Sequence, residues 1–448
     1  MLKLLGYNEK EISRSKYEID GIPPLSEAIP LGLQHIFAMF ASNIAVGMIV
    51  AGVAGISGSD LTIMVQCAMF IAGIATLNQC YPLWRCGGKL PIVMGTSFGF
   101  LPTNIAIASG YGISGLLGAT LVGGLFGAVL GFFLKPLRRF FPPIVTGTVV
   151  LTIGLSLLPT GITSMAGGSG SPTFGSPKNW IVGIIVLLVV LALNQFTKGF
   201  TKTSSILIGI IVGYIICIPL GMVNFDAVKE ASWFALPKPF HFPIEFKWGA
   251  IAPMLIMFIV TTVETVGDVS AITMGGAGRE ATDRELSGSI INNGLSSVFA
   301  AIFNGLPTTS FSQNVGMIAF TKIMSRFVVA IGAIFLVLAG LVPKLGALVS
   351  TIPSSVIGGA CLVIFSQITL TGIDMLTSNP LTSRDKVIIG LSLAFGIGLT
   401  QVQGAMDNFP QFLKLIFGGS GIVIACVIAI ILNIAMPQKE DEEVKEAA

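Results

Sequence analysis

Residues 310–322 read SFSQNVGMIAFTK, a polar opening of Ser310, Ser312, Gln313 and Asn314 set between apolar blocks. The surrounding composition makes that run conspicuous. Of 448 residues, 53% are hydrophobic and 10% charged, whereas soluble domains carry about 25% charged residues. Apolar blocks of about 17–25 residues, the length a helix needs to cross the hydrocarbon core, recur from Leu25 to Met436. The 54 glycines suit membrane helices that approach closely. An all-α polytopic membrane protein is the expectation. If the segment after Pro307 starts a helix inside the membrane, its first amides lack intrahelical partners and form a partly positive end.

Apolar blocks set against breakers give about fourteen spans. The first seven fall near 28–52, 60–82, 91–107, 113–134, 142–162, 179–196 and 203–223. The second seven fall near 249–270, 286–304, 311–323, 327–347, 353–373, 386–402 and 415–436. With the amino terminus inside, inner segments collect Arg85, Lys89, Lys135, Arg138, Arg139, Lys198, Lys202, Arg279, Arg284, Lys322, Arg326, Arg384 and Lys386. Outer loops hold Lys178, Lys229, Lys238, Lys247, Lys344 and Lys414. This bias places both termini in the cytoplasm. The third and tenth spans, containing GTSFGFLPTN and TTSFSQNVG, are short and broken, and share Thr96-Ser97-Phe98 and Thr309-Ser310-Phe311. Interrupted segments at matching positions of two seven-span halves point to an inverted-repeat transporter.

Among 22 acidic residues, Glu264 and Asp268 alone sit well inside a span. A charge at the bilayer centre costs about 2.5–3.5 kcal/mol on insertion scales, and such residues usually face a cavity. Spaced four apart in VETVGD, the two share a helix face. Carboxylates so close oppose each other's ionisation, which suits them to hold a proton; the plainer alternative is hydrogen bonding to neighbouring helices. His35 is the histidine inside a span, either a satisfied core residue or a contact to substrate or proton. Gln313 can offer a paired donor and acceptor to a planar heterocycle, Asn314 can brace the backbone, and Phe98 can stack. Alternatively Gln313 and Asn314 merely satisfy a helix break.

Other chemistries lack support. The six cysteines show no metal-ligand spacing and read as small core residues. GTSFG at 95–99 matches the hydrolase elbow in letters only, lying among membrane spans with no suitable His after it. No H-E-x-x-H or Walker A run occurs, and the net charge of +3 argues against a nucleic-acid partner. The first 20 residues are polar and mixed in charge, so no cleavable leader is expected.

These residues together resemble the nucleobase–ascorbate transporters, nucleobase:cation symporters of the xanthine and uracil permease type. The signature Q/E-N-x-G-x-x-x-x-T-R/K/G stands here as Gln313-Asn314-Val315-Gly316, then Met317 to Phe320, then Thr321-Lys322. LGLQHIFAMF, MGTSF and ETVGDVSA add to the likeness, which covers residues 25–436. It implies a core domain (25–136 and 249–348), a gate domain (137–224 and 349–436), an outer loop (225–248) and cytoplasmic tails (1–24 and 437–448). A homodimer with elevator-like movement of core against gate is also implied. By position, Glu264 and Gln313 bind the base, Phe98 stacks near it, and Ser97, Gly99 and Ser312 complete the pocket. Asp268 joins Glu264 in proton coupling, while Asn314, His35, Asn293, Gly316 and Thr321 support the pocket. Asn293 stands in NNGL where many purine carriers have an acid, so coupling rests more heavily on Glu264 and Asp268. Gln rather than Glu at 313 favours an oxidised purine over uracil.

The expectation is a cell-membrane importer of xanthine or urate driven by proton symport, with no cofactor beyond the coupling proton and no enzymatic activity. A uracil:proton symporter is one alternative. An anion channel or exchanger on a similar fold is another, opposed by the paired acids.

Overall fold

The computed structural model describes residues 17–133, 142–168, 171–378, 380–402, 404–406, 408–409 and 421–436. Lys135, Arg138, Arg139 and Lys414, and the expected tails at 1–16 and 437–448, lie outside the described residues. Apart from two one-turn helices and a π-helical turn at Thr273–Ala277, the described residues form α1 (Leu25–Val53), α2 (Gly58–Cys80), α3 (Leu101–Phe132), α4 (Pro143–Met165), α5 (Pro177–Phe196), α6 (Ser205–Cys217) and α7 (Trp248–Ile272). They continue with α8 (Asp283–Ile302), α9 (Ser312–Thr321), α10 (Arg326–Gly340), α11 (Pro343–Ser350), α12 (Ser354–Thr377), α13 (Ser383–Gln401) and α14 (Gly421–Ala435).

Helix starts follow local chemistry. Proline occupies the first turn of α4, α5 and α11, where its missing N–H is not needed. Ser176, Ser325, Thr282 and Thr382 cap α5, α10, α8 and α13 by accepting from a free backbone N–H. Thr282 and Thr382 form full capping boxes with Glu285 and Asp385. Among the described residues, seven helices are long and apolar enough to cross a membrane, or eight if α10 and α11, bent by 83°, count as one span.

Within α3 two helical segments meet at Gly112, whose φ of 68° and ψ of −176° break the helix between the expected third and fourth spans. One feature departs from the sequence expectation: the fold is not purely helical. Short strands β1 (Met94–Thr96) and β2 (Thr308–Ser310) precede α3 and α9 and pair antiparallel, with Met94 opposite Ser310, Gly95 opposite Thr309 and Thr96 opposite Thr308. Phe311 N donates to Val93 O at 3.0 Å and Ser97 N to Pro307 O at 3.1 Å, extending the pairing. Backbone that is not helical at membrane depth has no water to satisfy it, so the two breaks satisfy each other.

Packing places these strands deep inside. α3 lies along α8 and α7, and α10 along α2 and α1. Separately, α12 lies along α4 and α5, and α13 pairs with α14. A Cβ at Gly294 of α8 would fall 2.2 Å from Ala128 N of α3, so the closest contact of that pair is backbone on backbone. Phe100 meets Phe258 with ring centroids 4.8 Å apart, fastening the start of α3 to α7. Five of the six cysteines are buried and Cys86 is partly so. His241, in the segment before α7, pairs with Asp60 at 3.0 Å on the surface.

Candidate functional site

The paired strands bring two helix N-termini to one place. Ser97, Phe98 and Gly99, between β1 and α3, and Phe311 and Ser312, between β2 and the first turn of α9, line a narrow cavity of about 40 Å³. Each helix directs its partly positive end toward that space. Gly99 N donates to Ser97 Oγ at 3.1 Å, which fixes the turn ahead of α3. Phe98 is buried and sets its ring against Phe365 of α12 in a T-shaped contact, centroids 5.1 Å apart and planes at 84°.

The two intramembrane acids take different places. Glu264 lines the cavity. A Cβ on Gly99 would lie 3.3 Å from its Oε2, so carboxylate and turn are in near contact. Glu264 Oε2 is buried and has no hydrogen-bond partner among the described residues, leaving an acceptor for a bound N–H. Asp268, one turn on, sits behind β2. Ser310 Oγ donates to its Oδ2 at 2.5 Å and Ser312 Oγ to its Oδ1 at 2.8 Å. Asp268 thus clamps both β2 and the start of α9, while Glu264 faces the open space.

The supporting residues form a frame around the strands. His35 Nδ1 donates to Asn314 Oδ1, joining α1 to α9, and Asn314 Nδ2 donates to Pro91 O at 3.1 Å. Asn293 Nδ2 donates to Thr265 Oγ1 and, at 3.2 Å, to Thr309 Oγ1, so the amide of α8 links α7 to β2. Its own Oδ1 is buried and unpartnered among the described residues. Thr321 lies at the far end of α9, bonding back to Met317 O at 2.9 Å. Gln313 and Gly316 lie on α9, but the Gln313 side chain and the surroundings of Gly316 lie outside the described residues.

Sequence reasoning passed over several residues of the site. Asn43 of α1 accepts from Thr96 N at 2.7 Å and donates to Ala68 O at 3.2 Å, holding β1. The wall opposite the strands comes from Val150 and Ile153 of α4 and Ile368 and Thr371 of α12. Asn43 and Thr371 carry the only sequence signal, a polar side chain inside an apolar block; the aliphatic residues carry none. Chemically, the cavity sets a carboxylate and helix N-termini on one wall and a largely apolar surface on the other. That combination suits a flat, polar-edged molecule able to donate N–H groups.

Comparison with known proteins bears on this arrangement. A model described as Permease family, of the xanthine–uracil permease type, matches residues 26–405. The uric acid permease PucK of Bacillus subtilis is 39% identical over 415 residues, covering 92% of this chain and 95% of that protein. The xanthine permease of the same organism is 37% identical over 410 residues, covering 91% and 93%. In fold, the chain is similar to the transmembrane domain of the cyanobacterial bicarbonate transporter BicA, with a TM-score of 0.59, 15% identity, and coverage of 92% of this chain and 98% of that domain.

Proposed function

The chain belongs to the nucleobase–ascorbate transporter family of permeases, and from that membership we propose that it imports an oxidised purine, xanthine or uric acid, in symport with a proton. The observation that carries this reading is the Glu264 carboxylate, its Oε2 unpartnered among the described residues, at the meeting of two helix N-termini. A purine offers ring N–H groups to that carboxylate and carbonyl oxygens to the amides at the start of α9. Gln313, on the first turn of α9, reads a second edge of the base, and Phe98 bounds the slot. The relatives named for uric acid and xanthine support a purine rather than uracil. Likeness to a bicarbonate carrier concerns the fold alone.

In the mechanism, a proton held at the Glu264 and Asp268 site favours binding from outside. The loaded core, α1–α3 with α7–α11, then moves against the gate, α4–α6 with α12–α14, and releases base and proton inside. The separate packing of α3 with α8 and of α4 with α12 supports that division, and the antiparallel meeting of β1 and β2 supports an inverted seven-plus-seven repeat. The distribution of Lys and Arg supports cytoplasmic termini. As in the rest of the reading, the working unit is a homodimer in the cell membrane.

Purine uptake into vesicles, driven by an inward proton gradient, tests the scheme. Glu264→Gln keeps the shape and removes the charge, and gradient-driven uptake is expected to fall at least about tenfold, the effect of losing one charge-assisted hydrogen bond. Full uptake by that variant sinks the proposal. Competition by xanthine, urate, guanine and uracil identifies the base.

A further inference from the structure

The cavity wall contributed by α4 and α12 is apolar but for one group. Val150, Ile153 and Ile368 present hydrocarbon, and Thr371 is the polar side chain among the described residues of that wall. Its hydroxyl is already oriented. Thr371 Oγ1 donates to Gln367 O, one turn back along α12, at 3.0 Å. The single hydroxyl hydrogen is thereby committed, and the oxygen turns lone pairs outward. Thr371 lines the cavity, where those lone pairs can meet a bound molecule. The hydroxyls on the strand side are differently engaged: Ser310 and Ser312 donate to Asp268, and Ser97 accepts from Gly99.

Both walls therefore present acceptors, Glu264 Oε2 from α7 and Thr371 Oγ1 from α12. A ligand satisfying both must donate N–H groups from two separate edges. An oxidised purine does so, because N–H groups lie on both of its fused rings. Uracil carries both N–H groups on one ring, flanking a single carbonyl, and spans a shorter distance. We propose that Thr371 is a specificity-determining residue that accepts a ring N–H of the substrate on an edge other than the one held by Glu264. This rests on the purine-carrier reading and adds to it the group on the α12 side that distinguishes substrates.

A cycle between protein and ligand tests it. Uptake of labelled substrate into vesicles is inhibited with xanthine and with each of its N-monomethyl derivatives, for wild type, Thr371→Val and Thr371→Ser. Valine keeps the shape and deletes the acceptor; serine keeps the acceptor. Xanthine is expected to inhibit Thr371→Val roughly tenfold less well than wild type, the effect of one lost hydrogen bond. One methylated derivative, lacking the N–H that Thr371 reads, is expected to inhibit both proteins equally, while the others show the tenfold difference. Thr371→Ser is expected to follow wild type across the series. Should valine not insert into the membrane, Thr371→Ala deletes the same oxygen and completes the cycle. Unchanged inhibition by xanthine, or the same factor for every derivative, overturns the role of Thr371 in an otherwise competent purine carrier. Absence of purine uptake by wild type overturns the functional reading, and this proposal with it.

Discussion

The tripeptides Thr96-Ser97-Phe98 and Thr309-Ser310-Phe311 have identical letters but sit one residue apart on their strands, Thr96 ending β1 and Ser310 ending β2, and their side chains do different things. Each ends a short strand and leads into a helix that opens on the cavity. In the first, the strand is held by a neutral amide, since Thr96 N donates to Asn43 Oδ1 at 2.7 Å, and Ser97 bonds locally to Gly99 N. In the second, Thr309 Oγ1 accepts from Asn293, and Ser310 donates to the buried carboxyl of Asp268 at 2.5 Å. Among the described residues, the first break is tied by backbone, amide and hydroxyl groups, Thr76 Oγ1 accepting from Met94 N at 2.9 Å among them, whereas the second is tied to an ionisable group as well. If uptake is coupled to a proton as proposed, the contacts put the proton-carrying group on the second half of the chain, with neutral groups on the first.

Removing the charge is the strongest way to break that contrast. Asp268→Asn keeps an oxygen able to accept from one serine and deletes one of the two carboxyl groups proposed to hold the proton. A gradient of one pH unit can drive about tenfold accumulation through one coupled proton. In vesicles, Asp268→Asn is expected to bring the accumulation ratio to unity while exchange of labelled for unlabelled base continues. Retained accumulation would move coupling away from Asp268 to another group, Glu264 of the same helix first. A smaller loss is expected from Ser310→Ala, which leaves Asp268 Oδ2 without the hydroxyl that reaches it now. Losing a buried partner of a carboxyl group costs about 1–3 kcal/mol. The measurable outcome is a lower unfolding temperature in detergent together with reduced gradient-driven uptake.

The sequence made some of this legible. Apolar blocks located the long helices because a span must be apolar along its whole length, and the acids of α7 stood out because charge is rare there. The repeated Thr-Ser-Phe marked both breaks. The strands themselves were not legible, because three extended residues carry no periodicity and their partner lies in the other half of the chain. Nor was the division of labour between the acids. A spacing of four puts Glu264 and Asp268 on one face, but only packing against β2 sets Asp268 behind two serines and Glu264 at the cavity. Asn43 escaped notice because one neutral amide in a long span is compatible with many roles, and Val150 and Ile153 because aliphatic residues line lipid, core and cavity alike.

The smallest expected effect completes the contrast. Ser97 is buried and corresponds to Ser310 in the shared tripeptide, but among the described residues its oxygen meets only the N–H of Gly99, two residues on. Ser97→Ala removes a neutral local bond, worth about 0.5–1.5 kcal/mol, and leaves no carboxyl group without a donor. The freed N–H of Gly99 lies beside the cavity, where water or substrate can take the place of the serine oxygen. Thermal stability is therefore expected to fall by less than in Ser310→Ala. The concentration of base giving half-maximal uptake should shift by no more than about threefold, a change well under the 1.4 kcal/mol that equals tenfold. The pH dependence of uptake should match wild type. If Ser97→Ala instead altered the pH dependence as strongly as Ser310→Ala, the two breaks would be functionally equivalent. The asymmetry between amide-held and acid-held halves would then be one of contacts only, without consequence for coupling.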